Sequence, residues 1–494
     1  MKKRKILSYI SLCLAAVLSS CTKDLVEKPK SVIAPDQYFT TAAQCTQGVN
    51  GVYSFLNDLF GQEDIWKSIE EGTDLVMYVP TNDSNNEYTF SAAAPGNAGS
   101  LWAKCYKAIN NANLVINRVG KADIDVTLRT RLVGEAKYLR ALHYYILSNT
   151  FGAIPMWTDE LDVDVVSKLS RTPLAEVRTQ IKKDLTEAAD ALPLSYPASD
   201  VGRATKGAAL GLLAKVYLFD KDWANAQKYA QMVIDGGQYQ LVNYADLFDI
   251  NDKFPNNKES IFEIQFKRDN STNTNIKVNY YYTWFFPLKD ANNKTYAGVD
   301  FGSTVYRGYE NFYPSAVFVN MFENGDKRKD ITLATSYNKQ NFTRFLKPNR
   351  PWFGAKFWDL QANDRSSGKD MYFMRYADVL LIMAEALNEQ AKPSDALTWI
   401  NKVRSEHGGL APLSGLSQAD VRTLLMRERA IEFVGEFQRK WDLARWGTLV
   451  QAVQSVSADN PKGAANVKAT HNIFPIPEAE IVKDPNLLPQ NPGY

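Results

Sequence analysis

"GRATKGAALGLLAKVYLFDKDWANAQKYAQMVIDGG", residues 202 to 237, decides the architecture of this chain. Apolar residues recur at steps of three and four from Ala208 to Phe219 and again from Trp223 to Ile234, the spacing of one helix face. Only Asp220-Lys221-Asp222 separates the two stripes, so the helices must turn back on each other as an antiparallel pair. Gly236-Gly237 closes the pair.

The same register returns 170 residues later. Leu213-Ala214 is followed by Tyr217 and, nine residues on, by Ala226; Met383-Ala384 is followed by Leu387 and, nine residues on, by Ala396. Small residues at these points let two helices approach closely, as in tetratricopeptide repeats. Generic helix-hairpin packing is the alternative reading of the spacing. Other stripes agree with a helical chain. Leu132, Ala136, Leu139, His143 and Ile146 share one face; Val177, Ile181, Leu185, Ala188 and Leu192 share another, with Thr172 expected as N-cap, Pro173 at the first helical position and Pro193 as the stop. A further hairpin covers Val379 to Leu387 and Ala396 to Val403, and a helix runs from about Ser417 to Val434. The prediction is a mostly α protein with about four tetratricopeptide-like helix pairs, spanning about 40–240 and 373–450, as its scaffold.

The stretch between, about 240–372, is a loop-rich insert with a few short strands. It is rich in Asn, Tyr, Phe and Trp and dotted with turn formers, and Ser260 to Phe266 alternates as a strand does. Residues 61–100 have the same loop-like texture.

The N-terminus is a targeting device. Lys2, Lys3, Arg4 and Lys5 precede an uncharged run from Ile6 to Leu18, too short to cross a bilayer, and "LSSC" at 18–21 resembles the lipobox of bacterial lipoproteins. Residues 1–20 are expected to be a lipoprotein signal peptide, leaving 21–494 as a single domain acylated at Cys21. Several acyl chains, each contributing roughly 0.8 kcal/mol per buried methylene, anchor a protein durably. The first 20 residues hold four of the 57 basic side chains and none of the 55 acidic ones, so their removal takes the formal charge from +2 to about −2. Such a balance gives no reason to expect a nucleic-acid partner. Cys45 and Cys105 then remain, as one bridge or two buried thiols.

Motifs of catalysis are missing from the sequence. His143, His407 and His471 stand far apart and outside any short metal-ligand pattern, so no metal is expected, and there is no GxSxG elbow, no phosphate-binding loop and no GxGxxG after a strand. "DANNKTYAG" at 290–298 alternates oxygen ligands, but Thr295 stands where an EF-hand loop needs glycine. Neither an enzyme nor a cofactor is expected.

Taken together, "GEAKYLRALHYYILSNTFGAIP" (134–155), the opening stretch, "NKESIFEIQF" (257–266), "RYADVLLIMAEALNE" (375–389), "ALTWINKVRS" (396–405), "WDLARWG" (441–447), "FPIPEAEI" (474–481) and the terminal "QNPGY" resemble the SusD/RagB family, the surface nutrient-binding lipoproteins of Bacteroidetes. The resemblance implies helix pairs with a ligand site built from variable loops. It implies a lipid-anchored place on the outer membrane, facing the exterior. It also implies a partner, a SusC-like TonB-dependent transporter on which the protein sits as a lid. Phe437 departs from the pattern where a glycine is common, and Lys440 where an aromatic often precedes the "DL" pair. Arg375, Asp442, Arg445 and Trp446 sit in or beside apolar stretches and read as buried, paired charges with their neighbours.

The expected cargo is an oligosaccharide. Peptides or another nutrient, taken by the same lid mechanism, are the alternative, and a surface-displayed degradative enzyme is a weaker one. Sugars favour aromatic platforms ringed by amides and carboxylates, and rings in polar loops are the candidates. Three clusters qualify: Trp66 with Asp74 and Tyr78, Tyr282 with Trp284, and Trp352 with Trp358; Asn82, Asp83 and Arg350 are placed to hydrogen-bond hydroxyls. The alternative for each ring is packing beneath its own loop, and Phe285 and Phe286 in "TWFFPL" read as core.

Overall fold

The computed structural model describes residues 38–79, 82–250, 257–267, 279–288, 298–302, 305, 308–343, 350–362 and 367–494. The signal segment with Cys21, and all but the last residue of the alternating-oxygen loop, lie outside these. The described residues open with α1 (Ala42–Phe60), whose start is fixed by a reciprocal capping box between Thr41 and Gln44. The short α2 (Asp64–Ile69) and β1 (Val76–Tyr78) lead to two long helices, α3 (Asn97–Gly120) and α4 (Val126–Phe151). Then come α5 (Leu174–Ala191), α6 (Lys206–Phe219) and α7 (Trp223–Asp235). The insert contributes β2 (Ser260–Ile264), the one-turn α8 (Tyr281–Phe285), β3 (Phe312–Pro314) and β4 (Met371–Arg375). Four helices close the list of principal elements: α9 (Tyr376–Glu389), α10 (Pro393–Glu406), α11 (Gln418–Phe433) and α12 (Arg439–Trp446).

From α3 to α7 each helix packs on its successor, and α7 packs directly on α9. The two hairpins that share a register are therefore neighbours in space, and the insert loops out of a continuous row. Small side chains make this possible: Ala214, Ala226, Ala384 and Ala396 are all completely buried. At Gly211 the approach is so close that a Cβ would lie 2.5 Å from the Met374 sulfur, so a larger residue there would force the methionine side chain to move. α6 buries eleven of its 14 residues and is apolar nearly all round, the mark of a helix inside the row. Its one buried cation, Lys215, is paired with Asp378 of α9 at 2.6 Å.

The start of α5 differs from expectation. It begins at Leu174, Pro173 takes the N-cap position with ψ of 141°, and no side chain caps the helix. Thr172 is held extended because its backbone pairs with Ile154 in an antiparallel bridge.

The insert leaves and rejoins the scaffold on one antiparallel ribbon, β2 with β4, while β1 pairs with β3 and ties the first loop region to it. With strands this short, rings supply the core: Phe285 stacks on Phe312 at 4.9 Å and on Phe357 at 4.5 Å. Each such ring buries on the order of 150–250 Å². Phe285 and Phe286 are core, as read.

Distant parts of the chain also interlock. Glu70, at the end of α2, accepts from the backbone N–H groups of Gln438 (2.8 Å) and Gly435 (3.3 Å), and Asp74 makes a bidentate pair with Arg439 at 2.8 and 2.6 Å. Asn460 donates to the Asn86 carbonyl at 2.6 Å, and Lys462 pairs with Glu87 at 3.0 Å. These contacts hold the turn in which Phe437 takes a left-handed φ of 59°, which explains why glycine suits that position.

Candidate functional site

A cavity of about 300 Å³ opens where α2 meets the insert. Its aromatic side is Tyr280, Trp284 and Tyr309, all half-buried; its polar side is Gln62, Glu63, Asp64 and Lys104. The walls are built by backbone bonds between loops. Tyr280 N–H donates to the Gly61 carbonyl at 2.9 Å, Tyr309 N–H to Thr283 at 2.8 Å and Asn311 N–H to Trp284 at 3.0 Å. The Trp284 and Tyr309 rings lie 5.2 Å apart with planes inclined by 32°. Behind them the Lys67 ammonium sits over Tyr78 at 4.4 Å and over Trp284 at 5.5 Å, held by Glu63 at 3.2 Å and Asp83 at 3.4 Å. Burial pulls the Lys67 amine down, but the surrounding carboxylates win and hold it well above its usual value.

The structure brings some of the expected residues together and separates others. Trp284, Tyr78 and Asp83 meet through Lys67, with Asp83 also capping the turn that follows it by accepting from Asn85 and Asn86. Asn82, exposed and with a left-handed φ of 65°, accepts from Lys462 at 3.2 Å. The remaining candidates are corrected. Trp66 is 1% exposed, roofed by Phe312 at 4.9 Å, Tyr281 and Phe285. Trp352 (3%) packs under Phe342, and Trp358 (2%) under Phe286 and Phe301. Tyr282 is buried, its hydroxyl donating to the Asp370 carbonyl at 2.8 Å. Asp74 is consumed by Arg439, and Arg350 by Asp459 at 3.0 Å. As they stand, these rings offer no face to a ligand. Among its described residues the insert has no long strand or helix to seal it, and its aromatics pack on its own interior. Tyr280, Tyr309 and the polar side of the cavity were not among the candidates; the signal for Gln62, Glu63 and Asp64 was the polar turn "GQED" at 61–64, and Lys104 had none.

A second cluster joins residues distant in sequence. His407 places Nδ1 2.9 Å from Glu432 and Nε2 3.0 Å from Glu259, a set of ligand atoms close enough together to hold a metal ion. The Arg375 guanidinium, however, bonds the same two carboxylates at 2.9 and 2.5 Å, and both ring nitrogens face acceptors. An arginine so placed contributes the positive charge that a metal would bring, and the cluster is a buried ion network. Burial pulls His407 down, but Glu432 and Glu259 hold it up at about 9. Glu432 is correspondingly lowered, against its own burial, by His407 and Arg375. Arg328 and Lys356 extend the network to Glu428 and Glu436. The motif residues Asp442, buried, and Arg445, half-buried, are likewise paired, with Trp446 donating to Glu385.

A helix-hairpin row carrying a loop-built aromatic cleft defines a class of helical binding proteins. Residues 258–494 match the family described as "SusD family", and residues 34–218 match the one described as "Starch-binding associating with outer membrane". The chain belongs to the SusD/RagB family. It is similar to a SusD-like protein of Formosa agariphila, 28% identical over the whole of both chains. Among solved structures, a SusD homolog from Bacteroides thetaiotaomicron shares the fold at TM-score 0.81 and 24% identity, covering 93% of this chain and 98% of that one. So does the surface glycan-binding protein A of Bacteroides thetaiotaomicron in complex with laminarihexaose, at TM-score 0.74 and 21% identity, covering 92% and 100%.

Proposed function

We propose that this protein captures an oligosaccharide in the Trp284–Tyr309 cleft at the cell surface and passes it to a SusC-like TonB-dependent transporter on which it acts as a lid. The observation that carries the reading is the half-exposed ring pair, 5.2 Å apart, beside an amide and two carboxylates. Sugar rings stack on such faces while side-chain oxygens and nitrogens select hydroxyl orientations. Membership in a family whose solved relatives include a glycan-binding protein supports it. The cleft's two carboxylates are each tied to a lysine, Glu63 to Lys67 and Asp64 to Lys104, an arrangement suited to holding a ligand rather than to moving protons.

Calorimetry with laminarihexaose and other hexasaccharides tests the site. Trp284→Ala and Tyr309→Ala are each expected to weaken binding by about 1–3 kcal/mol, by analogy with other ring stacking. Undiminished binding in both folded variants would place the site elsewhere. Anchoring through Cys21 is expected to make Cys21→Ala leave the membrane fraction, and the lid role to make the intact protein copurify with a large barrel in mild detergent. A membrane-bound Cys21→Ala protein, or repeated recovery without a barrel, counts against those parts.

A further inference from the structure

The charges around the cleft bear on which glycans enter it. Among the described residues its cations are Lys67 and Lys104. Lys104 Nζ is held by the Asp64 carboxylate and donates to the Asp58 carbonyl at 3.0 Å. Lys67 Nζ lies between Glu63 and Asp83, with its side chain 7% exposed and its ammonium over two rings. Neither cation can turn to a ligand without stranding a partly or fully buried carboxylate, which is costly. Three carboxylates thus face two ammonium groups. Glu71 lies buried behind them, and burial followed by the neighbouring Asp83 pushes its carboxyl well up, so it adds no positive charge to the wall.

We infer that the cleft accepts uncharged oligosaccharides and rejects those bearing carboxylate or sulfate groups. The inference rests on the reading of Trp284 and Tyr309 as the glycan platform. An anionic sugar seated on the rings would shed water from its charge without gaining a free cation from the described residues, whose charges make a net negative wall. Such juxtapositions lower affinity by about tenfold or more, and salt screens the effect.

The test is calorimetry on the purified full chain with two sets of probes. One is laminarihexaose, cellohexaose, maltohexaose and xylohexaose; the other is hexagalacturonate, hexaguluronate and a sulfated galactan oligosaccharide. Each is measured at low salt and at about 0.3 M salt. At least one uncharged hexasaccharide is expected to bind, with every anionic one about tenfold weaker or more. Salt should narrow the gap, and so should Glu63→Gln, which removes a charge at a partly exposed position. An anionic oligosaccharide that binds as tightly as the best uncharged one, and is lost in Trp284→Ala, overturns the charge rule while leaving the cleft as the site. An uncharged ligand that survives Trp284→Ala overturns the cleft itself. Failure of every uncharged probe overturns the inference as well.

Discussion

Replacing His407 with glutamine should change how stability depends on pH. The imidazole sits just past α10 with a carboxylate oxygen on each nitrogen, an arrangement satisfied in full only when both nitrogens carry protons. Its folded pKa of about 9 stands against about 6.5 in an unfolded chain. At about 1.4 kcal/mol per pH unit, the difference amounts to about 3 kcal/mol. Because the folded value is the higher one, this stability is fully present below pH 6.5 and drains away as pH rises through 9. Lys440 runs the other way. It is buried in a box of Tyr88, Phe90 and Phe474, and burial pushes its amine down to about 7, so above pH 7 the folded chain has released a proton that the unfolded chain still holds, and the fold gains stability as pH rises. The two windows overlap, so the raw profile of the wild type conceals both. The difference between wild type and His407→Gln isolates one. Urea unfolding followed by tryptophan fluorescence, between about pH 6 and 9.5, should show that difference shrinking by about 3 kcal/mol. A difference constant across the range would mean that His407 titrates in the folded protein as it does in the unfolded chain, and the account of the network would be wrong.

Arg439→Met leaves Asp74 buried without its bidentate partner and should cost about 3–5 kcal/mol in the same assay, with Asp74→Asn in the double variant restoring part of it; additivity of the two changes would refute the pairing. Phe437→Gly relieves a left-handed backbone, worth about 1 kcal/mol, but removes a ring packed on Phe60 and Tyr281, worth about 3–5 kcal/mol, so a net loss is expected and a gain in melting temperature would contradict it.

The scaffold was legible because its signals are local. A stripe of period 3.6 and the alanines at 214, 226, 384 and 396 need no knowledge of the rest of the chain. The insert was not, because a ring in an Asn-rich loop has the same sequence neighbourhood whether it faces a sugar or a core. What buries Trp66 is Phe312, and what covers Trp352 is Phe342, neither within reach of a periodicity argument for those tryptophans. Trp284 was picked out with the same reasoning as Trp66, and it differs in lying half-buried at the rim of the aromatic cluster, where Trp66 is enclosed. The ion network was foreseen at Arg375 as a buried pair, but its members Glu259, His407 and Glu432 come from three separate segments that only the fold brings together.

The interlock between residues 70–87 and 435–462 also sets the order in which the protein can be finished. A chain delivered from its N-terminal end can build the early helices as they emerge, since each packs on the next. The α2 wall of the cleft must wait, because Glu70 and Asp74 find their partners more than 360 residues later. Such long-range closure is slow relative to helix formation. During that interval the protein would exist as a helical stack with an unformed cleft, open to proteolysis along its insert. Damage confined to the turn around Phe437 would therefore disrupt the cleft while leaving most of the helix content in place.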